Sequence, residues 1–130
     1  MNKDLITASD EYHKDVRYFL RYAREEWLMV GLVFGGAWAT ILSVMNVDST
    51  TTDDVVTIGE AMLADLFDQG VLAGDLTEGD PGFEQWPGNA QDWLARIRAW
   101  IEHNGDIPDP GECCWLHDLT GGSRQAAVYL

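Results

Sequence analysis

From Glu25 to Ala95 the chain contains no lysine and no arginine, while thirteen aspartates and glutamates fall in the same stretch. A surface built from it projects a negative field that repels phosphate backbones and anionic membrane faces and attracts basic partners. Nucleic acid and membrane are therefore not expected as ligands. The imbalance is local. Residues 1–24 carry five basic side chains (Lys3, Lys14, Arg17, Arg21, Arg24) against four acids, and residues 96–130 carry three against five, within a net charge of −14.

Cysteine is almost as scarce. Cys113 and Cys114 are the only two in 130 residues, and neighbours in a regular backbone do not present the Cβ vectors a bridge needs, which excludes a disulfide framework. The opening MNKDLITASDEYHKD has no apolar segment ahead of its first acids, so no secretory signal is expected and a reducing, cytoplasmic address is. Catalytic and nucleotide-binding signatures are missing as well. The chain has no GxSxG, P-loop, GxGxxG or HExxH pattern, and GDLTEGDPGFE lacks the acid spacing of a calcium loop. No cofactor is expected.

What is present is apolar matter. With 46% hydrophobic residues and six tryptophans, the chain buries too much to be a disordered acidic polymer, and its length suits one domain over residues 1–130. From Trp27 to Met45 only Thr40 and Ser43 have polar side chains. That run is long enough to span a bilayer, and Gly31 and Gly35 have the GxxxG spacing of membrane helices. Yet it is interrupted by Gly31, Gly35 and Gly36, flanked by Glu25, Glu26, Asp48, Asp53 and Asp54, and lacks any Lys or Arg beyond it to set an orientation. It is expected to be a buried helix, broken or kinked near Gly35-Gly36, that gives the other helices their packing surface.

Those helices are legible. Tyr12, Val16, Phe19, Leu20 and Ala23 make an amphipathic helix over residues 10–26, with Arg17, Arg21 and Arg24 on a neighbouring face where Asp10, Glu11, Asp15 and Glu25 can pair with them. A second helix spans 49–70, capped by Thr51 or Thr52, with Asp53 and Asp54 in its first turn, a stripe of Val55, Ile58, Met62, Leu63, Leu66 and Phe67, and Gly70 as its stop. Its opposite side carries Glu60, Asp65 and Asp68. A third, over 90–104, is capped by Asn89, buries Trp93, Leu94, Ile97, Trp100 and Ile101, and ends at Gly105. Short strands are expected at 71–76 and in CCWLHDL, the latter followed by a TGGS turn and a return strand or short helix in RQAAVYL. The fold class is α+β: a mostly helical single domain with a small antiparallel sheet.

Within the second half, Leu66, Gly70, Val71 and Leu72, followed by Trp115, Leu116, Leu119, Thr120 and Gly122, resemble a winged-helix fold, in which a helix and short strand precede a two-stranded wing. That resemblance implies a regulator or adaptor, which would either bind DNA, for which Arg17, Arg21 and Arg24 outside the matching residues are the available basic stripe, or work only through protein contacts. The chain departs from the pattern because Arg124 is the lone basic residue near the wing. As a type, a small acidic, tryptophan-rich domain without catalytic signature is similar to bacterial immunity proteins, which neutralise polymorphic or contact-delivered toxins. This second resemblance implies a non-enzymatic inhibitor that binds a basic toxin such as a nuclease.

The candidate partner-binding residues are Asp65, Asp68, Asp75, Glu78, Asp80 and Glu84, around the end of the second helix and the loop after it, with Trp86 as an aromatic anchor or, equally, a plug that fills the core edge. Trp115 is a second candidate anchor. Cys113, Cys114 and His117 form a CCxxH cluster, but zinc needs cysteines two to four residues apart and a fourth ligand, so no metal is expected. A small cysteine-dependent enzyme, with His103 or His117 as base, is the remaining alternative; a buried structural thiol explains the same residues.

Overall fold

The long apolar run divides into two elements of different kind. In the computed structural model, which describes residues 1–45, 50–79 and 82–118, Leu28–Met29 form a strand (β1) and Val30–Met45 a helix (α3). Sixteen residues make a rod of about 24 Å, short of a bilayer core. Among the described residues no helix is long and apolar enough to cross a membrane.

The break expected at Gly35-Gly36 does not occur: α3 runs through both. Helical glycine costs only about 1 kcal/mol relative to alanine, and here tertiary contacts use the missing side chain. A Cβ on Gly36 would stand 2.6 Å from Cζ of Phe19, and one on Gly31 would stand 2.7 Å from the Pro108 carbonyl oxygen. These glycines are sites of close approach rather than hinges.

Helix α2 (Asp10–Glu25) follows the short α1 (Lys3–Thr7) and is started by Ser9, whose hydroxyl accepts from the Tyr12 amide at 3.2 Å. It buries Tyr12, Phe19 and Ala23. Helix α4 (Thr52–Asp68) opens with a reciprocal cap, Thr51 and Asp54 each bonding the other's amide at 3.2 Å, and Gly70 follows it at φ 100°. All six residues of its expected stripe are buried. Gly59 lets the Phe34 ring of α3 lie directly on the α4 backbone. Helix α5 (Ala90–Asn104) has the same kind of cap from Asn89 and Asp92 and ends at the left-handed Gly105, as the sequence predicts.

Four strands form one antiparallel sheet in the order β1-β4-β2-β3, with β2 at Leu72–Leu76, β3 at Phe83–Gln85 and β4 at Trp115–His117. Leu28, Leu116 and Ala73 stand side by side across the strands and are fully buried, so that face of the sheet closes the helical core. Strand β3 has no counterpart in the sequence reading, which gives a loop over TEGDPG and no strand after it. Strand β4 is shorter than the CCWLHDL segment because Cys113, at φ 70°, is in the left-handed region and cannot continue a strand. The TGGS turn, the RQAAVYL segment, and with them Leu119, Thr120, Gly122 and Arg124 of the winged-helix resemblance, lie outside the described residues.

Candidate functional site

Strands β2 and β3 form a hairpin whose loop is closed by the Thr77 amide donating to the Gly82 carbonyl at 2.9 Å. In its register Leu76 pairs with Phe83, Gly74 with Gln85, and Asp75 with Glu84. Directly opposed residues share a face of the sheet, so the exposed Asp75 and Glu84 carboxylates lie side by side. Glu78 is exposed in the connecting loop, and Asp80 lies outside the described residues. Three of the seven partner-binding candidates thus belong to one hairpin at the sheet's edge.

The others are placed differently. Asp65 is exposed on α4 but accepts the Tyr12 hydroxyl at 2.6 Å, which ties it to the contact between α2 and α4. Burial raises the Tyr12 phenol above its usual range, and the bond to Asp65 and that carboxylate's charge add to the effect. Asp68 is exposed at the end of α4. Trp86 does not offer its ring to a partner: it is 4% exposed, its amide donates to the Ala73 carbonyl at 2.8 Å, and the Arg96 guanidinium lies 3.8 Å from the ring centroid. Two apolar surfaces, the sheet edge and α5, converge there and turn the expected anchor into core. Its indole N–H has no partner among the described residues.

The exposed aromatics lie elsewhere. Trp27, which the sequence assigns to the buried run, is 38% exposed and packs edge-on to His117 at 6.2 Å between centroids, and Phe83 meets His117 from another side at 5.6 Å. His117 Nδ1 lies 3.0 Å from the Ala23 carbonyl oxygen, a fixed backbone acceptor that selects the Nδ1–H tautomer. Trp115, on β4, is half-buried opposite Gly74 and Met29. Trp38 is 52% exposed on α3. A two-residue strand ahead of a helix leaves no periodic signal, so nothing in the sequence separated Trp27 from the run.

Two arginines are paired away from the hairpin, while Arg96 lies over Trp86, directly after β3. Arg24 donates from Nε to Asp118 at 2.9 Å, and Arg98 pairs with Glu60, whose bond and charge raise the guanidinium pKa further. Arg21 lines a groove of about 340 Å³ with Tyr18, Tyr22, Glu25 and Glu26, where acids balance it. Among the described residues the only ion pairs are those of Arg24 and Arg98, so Asp75, Glu78 and Glu84 form none. No three His, Cys, Asp or Glu side chains among the described residues are grouped to hold a metal ion. Cys113 is half-buried, Cys114 is buried, both are reduced, and His103 is exposed at the end of α5. Compared with known proteins, the chain matches no family model, no curated protein and no solved structure.

Proposed function

We propose that the protein is a non-enzymatic, protein-binding inhibitor of the immunity or antitoxin type, and that it neutralises a basic toxin, such as a nuclease, with the acidic β2–β3 hairpin. The observation that carries this reading is the Asp75–Glu84 pair: two exposed carboxylates opposed on neighbouring strands, with no ion pair among the described residues. Like charges in that register disfavour the hairpin by a few tenths of a kcal/mol, a cost that a cationic surface removes on binding. Position supports the reading. β3 is an edge strand, and its charge discourages pairing with a second acidic copy while leaving the edge open to a basic chain.

In this mechanism the field of the acid-rich segment steers the basic partner, and the hairpin then covers the cationic cleft in which that partner would hold its anionic substrate. Asp68 and Asp80 extend the field, and Asp65 contributes charge while its carboxylate stays bonded to Tyr12. The test is capture from native lysate by the tagged chain, with salt washes and mass spectrometry. A basic protein retained at a fixed ratio, released by salt and lost with the paired substitution of Asp75→Asn and Glu84→Gln, supports the reading. Equal retention by the native and doubly substituted chains overturns it.

A further inference from the structure

Adjacent cysteines in a strand point to opposite faces, and their Cα atoms, about 3.8 Å apart, are closer than the roughly 4.4 to 6.8 Å usual for a disulfide. The chain at this point is not a strand. Cys113 is the one non-glycine residue at positive φ among the described residues, at 70°, in a conformation that disfavours a side chain by about 1 kcal/mol or more. Its surroundings hold it there. The Cys114 amide donates to the Glu112 carbonyl at 2.9 Å, the Cys114 carbonyl accepts from Val30 at the start of α3 at 3.3 Å, and the Asp109 amide donates to the Glu112 carboxylate at 2.9 Å.

The turn ends the strand alternation that would hold the two neighbouring thiols on opposite faces. Hydrogen bonding to Cys114 lowers the Cys113 pKa against the effect of burial, and the Arg96 charge lowers it further. Hydrogen bonding to Cys113, burial and the Cys113 charge raise that of Cys114. Cys113 is half-buried and Cys114 is 3% exposed. One approachable sulfur that favours the thiolate, beside one sheltered thiol, is the arrangement of an attacking and a resolving cysteine.

We propose that Cys113 and Cys114 form a redox modification site, in which a hydroperoxide oxidises Cys113 and Cys114 resolves it to a vicinal disulfide. The Cys113 thiolate attacks one peroxide oxygen. The O–O bond breaks, its electron pair leaves on the other oxygen, and that oxygen takes a proton from solvent to become alcohol or water. Cys113 is now a sulfenic acid. Cys114 gives up its proton and attacks the Cys113 sulfur; the S–O bond breaks, and the departing hydroxide takes up that proton as water. One dithiol and one hydroperoxide become one disulfide, one alcohol and one water. A bridge between neighbours is strained, so an external dithiol reduces it readily through two exchanges. Asp75 is close enough to act electrostatically on both thiols, which places this site beside the acidic hairpin. The proposal does not depend on the inhibitor reading.

The experiment treats the full chain with hydrogen peroxide and follows it by alkylation and mass spectrometry. The expected product is a monomer lighter by two hydrogens within the peptide that holds both cysteines, restored by dithiothreitol. Cys114→Ser should stop at a sulfenic acid captured by dimedone, and Cys113→Ser should give neither product. Arg96→Gln should slow the oxidation by about threefold, through loss of the cation beside Cys113. In the native chain, which needs no substitution, Cys113 should alkylate at least about tenfold faster than Cys114, because reactivity follows exposure and thiolate character. Equal alkylation rates, disulfides only between chains, or equal oxidation of the two serine variants would overturn the proposal.

Discussion

Replacing Glu84 by glutamine should make the fold more stable while weakening capture of the basic partner. The side chains of opposed residues in an antiparallel pair stand about 5 Å apart at Cβ. Two unit charges at that distance repel by about 0.8 kcal/mol in a water-like dielectric, and an ionic strength near 0.15 M screens this to about 0.4 kcal/mol. Glutamine keeps the length and β-compatibility of the side chain and removes the charge, and Glu84 forms no ion pair among the described residues that could be lost. The expected gain is therefore about 0.7 kcal/mol at low salt, or roughly 2 to 3 °C in melting temperature for a domain of this size. Urea titrations at low and high sodium chloride read it directly, since urea adds no ionic strength. The gain should shrink as salt rises, and Asp75→Asn should produce a similar gain that does not add to the first, because either change removes the same repulsion. A loss of stability beyond about 0.5 kcal/mol in Glu84→Gln would show that the carboxylate is satisfied within the fold, and the reasoning from an unfavourable pair would fail.

Gly59→Ala should destabilise the protein by about 2 kcal/mol, because its Cβ meets the Phe34 ring on α3; denaturant midpoints against Gly35→Ala, where a Cβ has open space, give the comparison. Asp118→Ala should cost about 2 kcal/mol by removing the 2% exposed carboxylate that holds Arg24, a value kept modest because the Arg24 side chain is 40% exposed. Tyr12 has a folded pKa raised above its unfolded value of about 10, so its contribution is complete below pH 10 and is lost as pH rises toward the folded value, at up to about 1.4 kcal/mol per pH unit. Urea midpoints between pH 9 and 12 should fall less steeply in Tyr12→Phe than in the native chain.

Helix ends were readable wherever a capping side chain and a stop residue bracket an apolar stripe. Asn89 and Gly105 define α5 to the residue, and Thr51 with Asp54 defines the start of α4, because each supplies a local reason for the helix to begin or end there. Residues 27–45 resisted reading for the opposite reason: when nearly every side chain is apolar, no period distinguishes strand from helix, and β1 was hidden inside the run. Glycine misled in the same place, since Gly36 signals a close neighbour, Phe19, as readily as a kink. Strand β3 is three residues long and has one apolar side chain, too little for an alternating pattern. The left-handed Cys113 is held by local bonds of Glu112 together with a tertiary bond from Val30 to the Cys114 carbonyl, and the latter is contained in no local sequence rule.

The charge distribution was legible as a sum but not as a site, and the difference lies in what each acid is already doing. Asp54 and Asp92 complete helix caps, and Asp53 sits in the first turn of α4 against its dipole. Glu60 holds Arg98, and Asp65 holds the Tyr12 hydroxyl. Glu25 and Glu26 share a groove with Arg21. Each of these carboxylates has a role in the fold or a cation beside it. Of the described acids in the cation-free segment, those left without either are Asp68, Asp75, Glu78 and Glu84, and three of the four lie on the β2–β3 hairpin. A net charge of −14 alone would serve for solubility anywhere on the surface. Two acids opposed in register on an edge strand serve the fold poorly, and this is why the hairpin, rather than the acidity of the whole chain, is the feature that points to a cationic partner.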